Sequence, residues 1–200
     1  MKVLVVGASG TIGRAVGDAL RQRHEVVAAS RGRSLVRCDI ADPESIRAMY
    51  RTVGRVDAVV GVAGEVAFGE LTKLTDADFQ LGLSSKLMGQ VNLVRFGLEH
   101  VADGGSFTLT AGSLAREPMV GSTAISLVNS GIEGFGRAAA LEMPRGIRIN
   151  VVSPGWLTET LRAMGRDASH GVPAAVVAQA YVRSVEGKAN GTIIDVRSGA

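Results

Sequence analysis

A glycine-rich corner seven residues into the chain limits what the rest of it can become. Lys2 to Val6 is a short apolar run that breaks into Gly7-Ala8-Ser9-Gly10-Thr11-Ile12-Gly13. A helical pattern follows from Arg14 to Arg23, with Val16, Ala19 and Leu20 on one face. Any tight strand-to-helix corner can use glycine, so the turn alone says little. Between a first strand and a first helix, however, it meets the context that a dinucleotide motif requires. Backbone can then approach a pyrophosphate closely, and the helix amino terminus offers free N–H groups and the positive end of its dipole.

The rest of the chain keeps the same alternation. Glu25 to Ala29 reads as a second strand and Leu35 to Cys38 as a third. Asp42-Pro43-Glu44 opens a helix to Val53, with Asp42 as its cap and Pro43 at its first position. Val56 to Val62 is a fourth, buried strand. Thr75 caps a long helix through Phe79, Leu83, Leu87, Val91 and Val94. Ser106 to Thr110 is a fifth strand, Ser122 to Met143 a helix, and Arg148 to Val152 a sixth strand. Val172 to Val185 is a last helix and Gly191 to Val196 a last strand. Strands joined by helices of this length run parallel, with helices packed on both faces. The expected fold is a Rossmann-type doubly wound sheet, three layers α/β/α, in a single domain over 1–200.

Composition narrows the function classes. The chain has 200 residues, 46% of them hydrophobic and 20% charged, which suits one buried core and leaves no stretch resembling an interdomain linker. Its net charge of +3 is scattered without interleaved aromatics. That suits a small anionic ligand better than nucleic acid, and most of these charges read as ordinary solvated surface. No apolar run is long enough to span a membrane. A single cysteine, Cys38, and an amino terminus without a signal pattern make a cytoplasmic location the expectation. His24, His100 and His170 lack metal-ligand spacing, so no metal site is expected.

Several segments together resemble the short-chain dehydrogenase/reductase family over nearly the whole chain. They are the Gly7 to Gly13 turn, Asp39-Ile40, Ala63-Gly64, Ala138-Ala139-Ala140-Leu141-Glu142 with Arg145-Gly146-Ile147-Arg148-Ile149-Asn150-Val151, and Ser153-Pro154-Gly155-Trp156-Leu157-Thr158. The resemblance implies that Gly7, Ser9, Gly10, Thr11, Ile12 and Gly13 form the pyrophosphate turn. It also implies that Asp39 and Ile40 contact adenine and that Ala63 and Gly64 pass the adenine-side ribose. Pro154, Gly155, Trp156, Leu157 and Thr158 would border the nicotinamide. Two departures stand out. The turn reads G-x-x-G-x-x-G, the spacing of the family's extended members, and Gly61-Val62 replaces the usual asparagine pair.

Cofactor choice follows from charge. An NAD site wants an acid at the end of strand two to accept from the ribose hydroxyls. No acid lies between Glu25 and Asp39, whereas Ser30-Arg31-Gly32-Arg33 stands at that strand end. Ser30 and Arg31 are therefore expected to meet a 2′-phosphate, which favours NADP(H) over NAD(H). The plain alternative is a solvated arginine pair in a loop.

The resemblance fails at the expected catalytic residues. Family members place a tyrosine and a lysine four residues apart on the helix after strand five, on one helix face. In this register the two positions hold Ile125 and Asn129, and the substrate-orienting serine falls on Gly112, with Ser113 beside it. A helix after strand four usually contributes an asparagine; here Lys86 takes that place. Lysine and asparagine have thus changed places across one cavity, unless Lys86 simply reaches into solvent. Lys86, Asn129 and Ser113 are the catalytic candidates. Tyr50 and Tyr181, the only tyrosines, read as packing residues.

The expected function is NADP(H)-dependent hydride transfer to a small organic substrate such as an activated alkene, an imine or a carbonyl. Two alternatives stay open: a nucleotide-binding or redox-sensing protein without turnover, and a non-redox enzyme reusing the pocket. The segment from Glu159 to Gly171, where the family places a substrate lid, is short. Neither nucleic acid nor a membrane is an expected partner. A homodimer or homotetramer is, because the family pairs the helices that here carry Lys86 and Asn129, and these hold Leu87, Val91, Leu127, Val128 and Ile132.

Overall fold

The computed structural model describes residues 1–197, so the last three positions of the domain expected over 1–200 lie outside the described residues. Seven parallel strands form one sheet in the order β3-β2-β1-β4-β5-β6-β7. They are β1 (Lys2–Val6), β2 (Glu25–Ser30), β3 (Val36–Arg37), β4 (Val56–Gly61), β5 (Val101–Thr110), β6 (Arg148–Pro154) and β7 (Ile193–Val196). The chain leaves β1 in one direction for β2 and β3 and returns to its other side at β4. This reversal opens a crevice at the carboxyl ends of the strands.

Helices cover both faces, so the strands are apolar on both sides rather than alternating. In β1, Leu4 and Val6 join one core cluster, with Ile46, Met49 and Tyr50 of α2 (Pro43–Val53), Leu93 of α4 (Gly89–Gly97) and Ile132 of α5 (Thr123–Ala139). Val3 and Val5 point to the other face. There they meet Val16 and Leu20 of α1 (Thr11–Arg21) and Val177 and Tyr181 of α7 (Ala174–Glu186). Each buried aliphatic side chain contributes about 1.5–3 kcal/mol relative to exposure.

Local signals place several helix ends. Asp42 accepts from the Glu44 N–H ahead of Pro43. Thr75 and Asp78 form a reciprocal capping box at the start of α3 (Asp76–Leu81). The long helix expected beyond Thr75 has a different interior: residues Gly82–Met88 widen into a π-helical stretch between α3 and α4. Gly82 opens it and Gly89 follows it. A Cβ at Gly89 would stand 2.8 Å from the Ile40 carbonyl oxygen, so that end of the stretch needs glycine to lie against the loop after β3.

Most boundaries differ from the sequence expectation by one to three residues, and three differences are larger. β5 begins at Val101 rather than Ser106, because pairing with Val56 of β4 carries it through Asp103-Gly104-Gly105, a run that reads as a turn. Helix α5 stops at Ala139, short of Met143, as Pro144 disfavours a helical residue before it. The short segment after β6 holds a helix of its own, α6 (Thr158–Ala163), closed against the body by the Thr158 N–H to Val172 carbonyl bond of 3.1 Å. Among the described residues no helix is long and apolar enough to cross a membrane. No group of three His, Cys, Asp or Glu side chains among them could hold a metal ion.

Candidate active site

Two neighbouring hollows lie along the carboxyl ends of the strands. The first, of about 470 Å³, is lined by Gly7, Ser9 and Gly10 of the glycine corner, by Ser30, Arg31 and Arg33 after β2, and by Asp39 and Ile40 after β3. Ala63, Gly64 and Glu65 after β4 line it too, with Ser85. The second, of about 280 Å³, is lined by Ile12, Lys86, Ala111, Gly112, Ser113, Ile125, Asn129, Pro154, Gly155, Trp156 and Leu157, with Leu114 and Thr160. The fold therefore brings most of the sequence-derived candidates to one crevice. Thr11, Gly13 and Thr158 stand aside. Thr11 borders a separate depression with Arg14 and Asp18, and Thr158 is buried beneath Gly171.

The three glycines of the corner do different work. Gly7 adopts φ +95°, and a Cβ there would stand 2.7 Å from the Ala63 nitrogen, so β1 and β4 can close only around glycine. A Cβ at Gly13 would overlap the Gly7 carbonyl oxygen. At Gly10, the cap of α1, the nearest atom would be Gly7 oxygen at 3.4 Å, ordinary contact. Nothing among the described residues demands glycine at position 10. Its missing side chain clears space in the crevice and leaves the first-turn N–H groups without a side-chain cap.

In the second hollow, Lys86 turns inward. Its Nζ donates to Asn129 Oδ1 at 2.7 Å and to the Ala111 carbonyl oxygen at 3.3 Å. Asn129 sets its amide by donating from Nδ2 to Gly112 oxygen at 3.4 Å, which leaves Oδ1 for the amine. Gly64 backs the lysine: a Cβ there would meet Lys86 Cγ at 2.7 Å, so only glycine lets the loop after β4 lie against it. Lys86 is the one charged side chain among the described residues lining this hollow. Burial pushes its amine down to about 8, from the usual 10.5. Phe68 packs edge-on against Trp156, with centroids 6.3 Å apart, and gives the mouth an apolar rim.

Ser113 opens a short 3₁₀ turn and lines the same hollow. Both tyrosines are fully buried. Tyr50 donates to the Leu93 carbonyl oxygen at 2.6 Å, and Tyr181 shares a 2.7 Å hydrogen bond with Thr110 Oγ1. Burial drives both phenols far above their ordinary range.

Three features that shape the hollows escape the sequence. Gln90, fully buried, clamps the end of β5, donating to Thr110 oxygen at 2.8 Å and accepting from Thr110 N–H at 2.7 Å. This fixes the strand just before Ala111. Ser85 Oγ accepts from the Glu65 N–H at 3.0 Å. Glu65 in turn pairs with Arg31 across the first hollow. Gln90 and Ser85 carry no local motif. Glu65 directly follows the Ala63-Gly64 pair, a place in the sequence that could have drawn attention to it.

Comparison with known proteins agrees with this geometry. The family model described as enoyl-(acyl carrier protein) reductase matches residues 10–193. The solved structure of the protein lin1944 from Listeria innocua is 43% identical, covering 98% of this chain and 99% of that one, with a TM-score of 0.95. A small-chain dehydrogenase solved in complex with NADPH is 27% identical over 100% of this chain and 97% of its own, with a TM-score of 0.90. The 3-oxoacyl-[acyl-carrier-protein] reductase of Mus musculus is 27% identical over 174 residues, 76% of this chain and 74% of its own length.

Proposed function

The chain belongs to the short-chain dehydrogenase/reductase family of oxidoreductases, and from that membership we propose that it uses NADP(H) to exchange a hydride with a small, largely apolar substrate, with Lys86 handling the proton. The observation that carries the reading is the Lys86 amine, held by Asn129 Oδ1 at 2.7 Å inside an apolar hollow that joins the glycine corner.

The residues fit a nicotinamide dinucleotide. Gly7, Ser9 and Gly10 leave the cradle that a pyrophosphate needs, and the uncapped start of α1 supplies N–H donors. Asp39 and Ile40 would border adenine, Ala63 and Gly64 the neighbouring ribose, and Pro154 to Leu157 the nicotinamide. Gly13 and Thr158 would act through packing, and Thr11 from outside the crevice. Arg31 and Arg33 at the adenosine end favour the 2′-phosphorylated cofactor. When bound, the nicotinamide supplies or accepts the hydride; the protein supplies position and charge.

Lys86 takes the part that tyrosine plays in relatives, since Ile125 stands where that tyrosine is expected and has no group able to transfer a proton. An ammonium has three donors. Two are engaged by Ala111 oxygen and Asn129 Oδ1, which leaves one for a substrate atom gaining negative charge. Its lowered pKa keeps the amine largely protonated at neutral pH while making the proton easy to give up. Asn129 is a positioning residue, and Ser113 is placed to orient the substrate. A lone ammonium suits an activated alkene or an imine better than a simple ketone, and the enoyl reductase description of the matching family model points the same way.

The test is to titrate NADPH and then follow its oxidation by absorbance against enones, imines and carbonyls, with Lys86→Met beside the unmodified protein. Turnover that collapses in Lys86→Met while NADPH binding persists is the expected result. Undiminished turnover in that variant overturns the role of Lys86. The second reading, a nucleotide-binding protein without turnover, is favoured by Ile125 at the tyrosine position. Binding with no turnover on any substrate of the panel would select it.

A further inference from the structure

Arg31 does not wait free for a phosphate. Its guanidinium pairs with the Glu65 carboxylate, and the two side chains reach across the first hollow from loops 34 residues apart in sequence. Both ends are anchored. Arg37 Nη1 donates to the Arg31 carbonyl oxygen at 2.9 Å, and the Glu65 N–H donates to Ser85 Oγ at 3.0 Å. Neighbouring Arg33 lines the same hollow and has no ion-pair partner among the described residues.

We propose that Glu65 is a built-in competitor for Arg31, a carboxylate that any phosphate entering the adenosine end must displace, so that it sets how strongly the site prefers a 2′-phosphorylated ligand. This deepens the cofactor reading above and rests on it. The exchange is feasible because the pair is solvated, with side-chain exposures of 62% for Arg31 and 48% for Glu65. Exposed pairs of this kind are weak, whereas a phosphate offers a guanidinium two parallel charge-assisted bonds. The displaced carboxylate stays within the hollow, tethered through its backbone to Ser85, and repels the dianion that replaced it. A ligand without that phosphate leaves the Arg31–Glu65 pair intact and escapes both penalties.

Glu65→Gln removes the charge and keeps the shape. Its affinities are measured by calorimetry at low salt for adenosine 2′,5′-bisphosphate, 5′-AMP, NADPH and NADH. We expect the variant to bind the bisphosphate and NADPH about three- to tenfold more tightly, from the lost competition plus the lost repulsion. 5′-AMP and NADH should change less than twofold, and the gain should shrink as salt rises. Unchanged or weaker NADPH binding in Glu65→Gln, while the unmodified protein binds NADPH well, overturns the competitor and leaves the cofactor reading standing. Equal tightening for NADPH and NADH also overturns it, since that marks a plain steric lid. Bisphosphate binding that tightens in the variant, with no NADPH binding in either protein, keeps the competitor and sinks the cofactor reading. If no ligand binds, both fall.

Discussion

Lys86 Nζ lies 2.7 Å from Asn129 Oδ1, although the two residues stand on different helices and 43 positions apart in the chain. No carboxylate among the described residues pairs with the amine; two neutral oxygens accept from it, and burial is what lowers its pKa. This arrangement makes Lys86 sensitive to any charge placed beside it. Asn129→Asp puts a carboxylate within hydrogen-bond reach of the amine and should raise its pKa back toward 10.5. If the ammonium donates the proton during reduction, the rate of the unmodified protein falls as pH rises through about 8. In Asn129→Asp that fall moves to higher pH, and identical pH–rate profiles for the two proteins count against the proton role.

The same group sets a pH window for stability. Its folded-state pKa, about 8, lies below the ordinary 10.5, so between those values the unfolded chain binds more protons and stability rises with pH. Below pH 8 the full cost of burying the charge is present. Lys86→Met should therefore raise the melting temperature at pH 7, with the gain shrinking between about pH 8 and 10.5. Parallel melting curves across that range, with a constant difference, would show that burial of the charge is not the cause.

Gly10 and Gly13 should separate binding from folding. At position 10 the backbone already has the extended geometry of a helix cap, and Gly10→Asp would cap α1 while placing a negative charge in the crevice. We expect a melting temperature at or above that of the unmodified protein and NADPH affinity lower by more than about tenfold. Gly13→Ala instead forces a Cβ into the Gly7 carbonyl and should cost about 1–3 kcal/mol of stability, read by chemical denaturation. A Gly10→Asp protein that binds NADPH normally would contradict the placement of the pyrophosphate.

Arg31→Ala should weaken NADPH binding by about tenfold or more, the loss of a hydrogen bond to a charged group, and leave NADH within about twofold. Equal affinities of the unmodified protein for the two cofactors would remove the basis for preferring NADP(H).

The oligomer proposal now has a sharper surface. Val128 and Ile132 belong to the core, while Leu127 is 50% exposed and Met88 of the π-helical stretch 41% exposed. We expect a homodimer or homotetramer by light scattering at micromolar concentration, and a smaller species for Leu127→Glu with an unchanged circular dichroism spectrum. A monomeric unmodified protein, or a variant of unchanged mass, ends this proposal.

What the sequence determined by itself was local. Val3 to Val6 is apolar at every position because both faces of the sheet are covered, and that run, closed by Gly7, identifies β1 and its corner. Asp42 and Thr75 mark helix starts because their side chains bond to N–H groups two or three residues on. Such signals survive in a linear reading, since the partner lies within one turn. The tertiary structure decided the rest. The Val101 to Gly105 part of β5 is a strand only because Val56 pairs with Val101. No neighbour in sequence tells Lys86 to turn inward rather than to solvent. That follows from Gly64 pressing against its stem and from Ala111 and Asn129 oxygens converging on its amine. Arg31 met Glu65 for the same reason. The direction of a long charged side chain is settled by desolvation against partners far along the chain, and neither exists until the strands have brought the loops together.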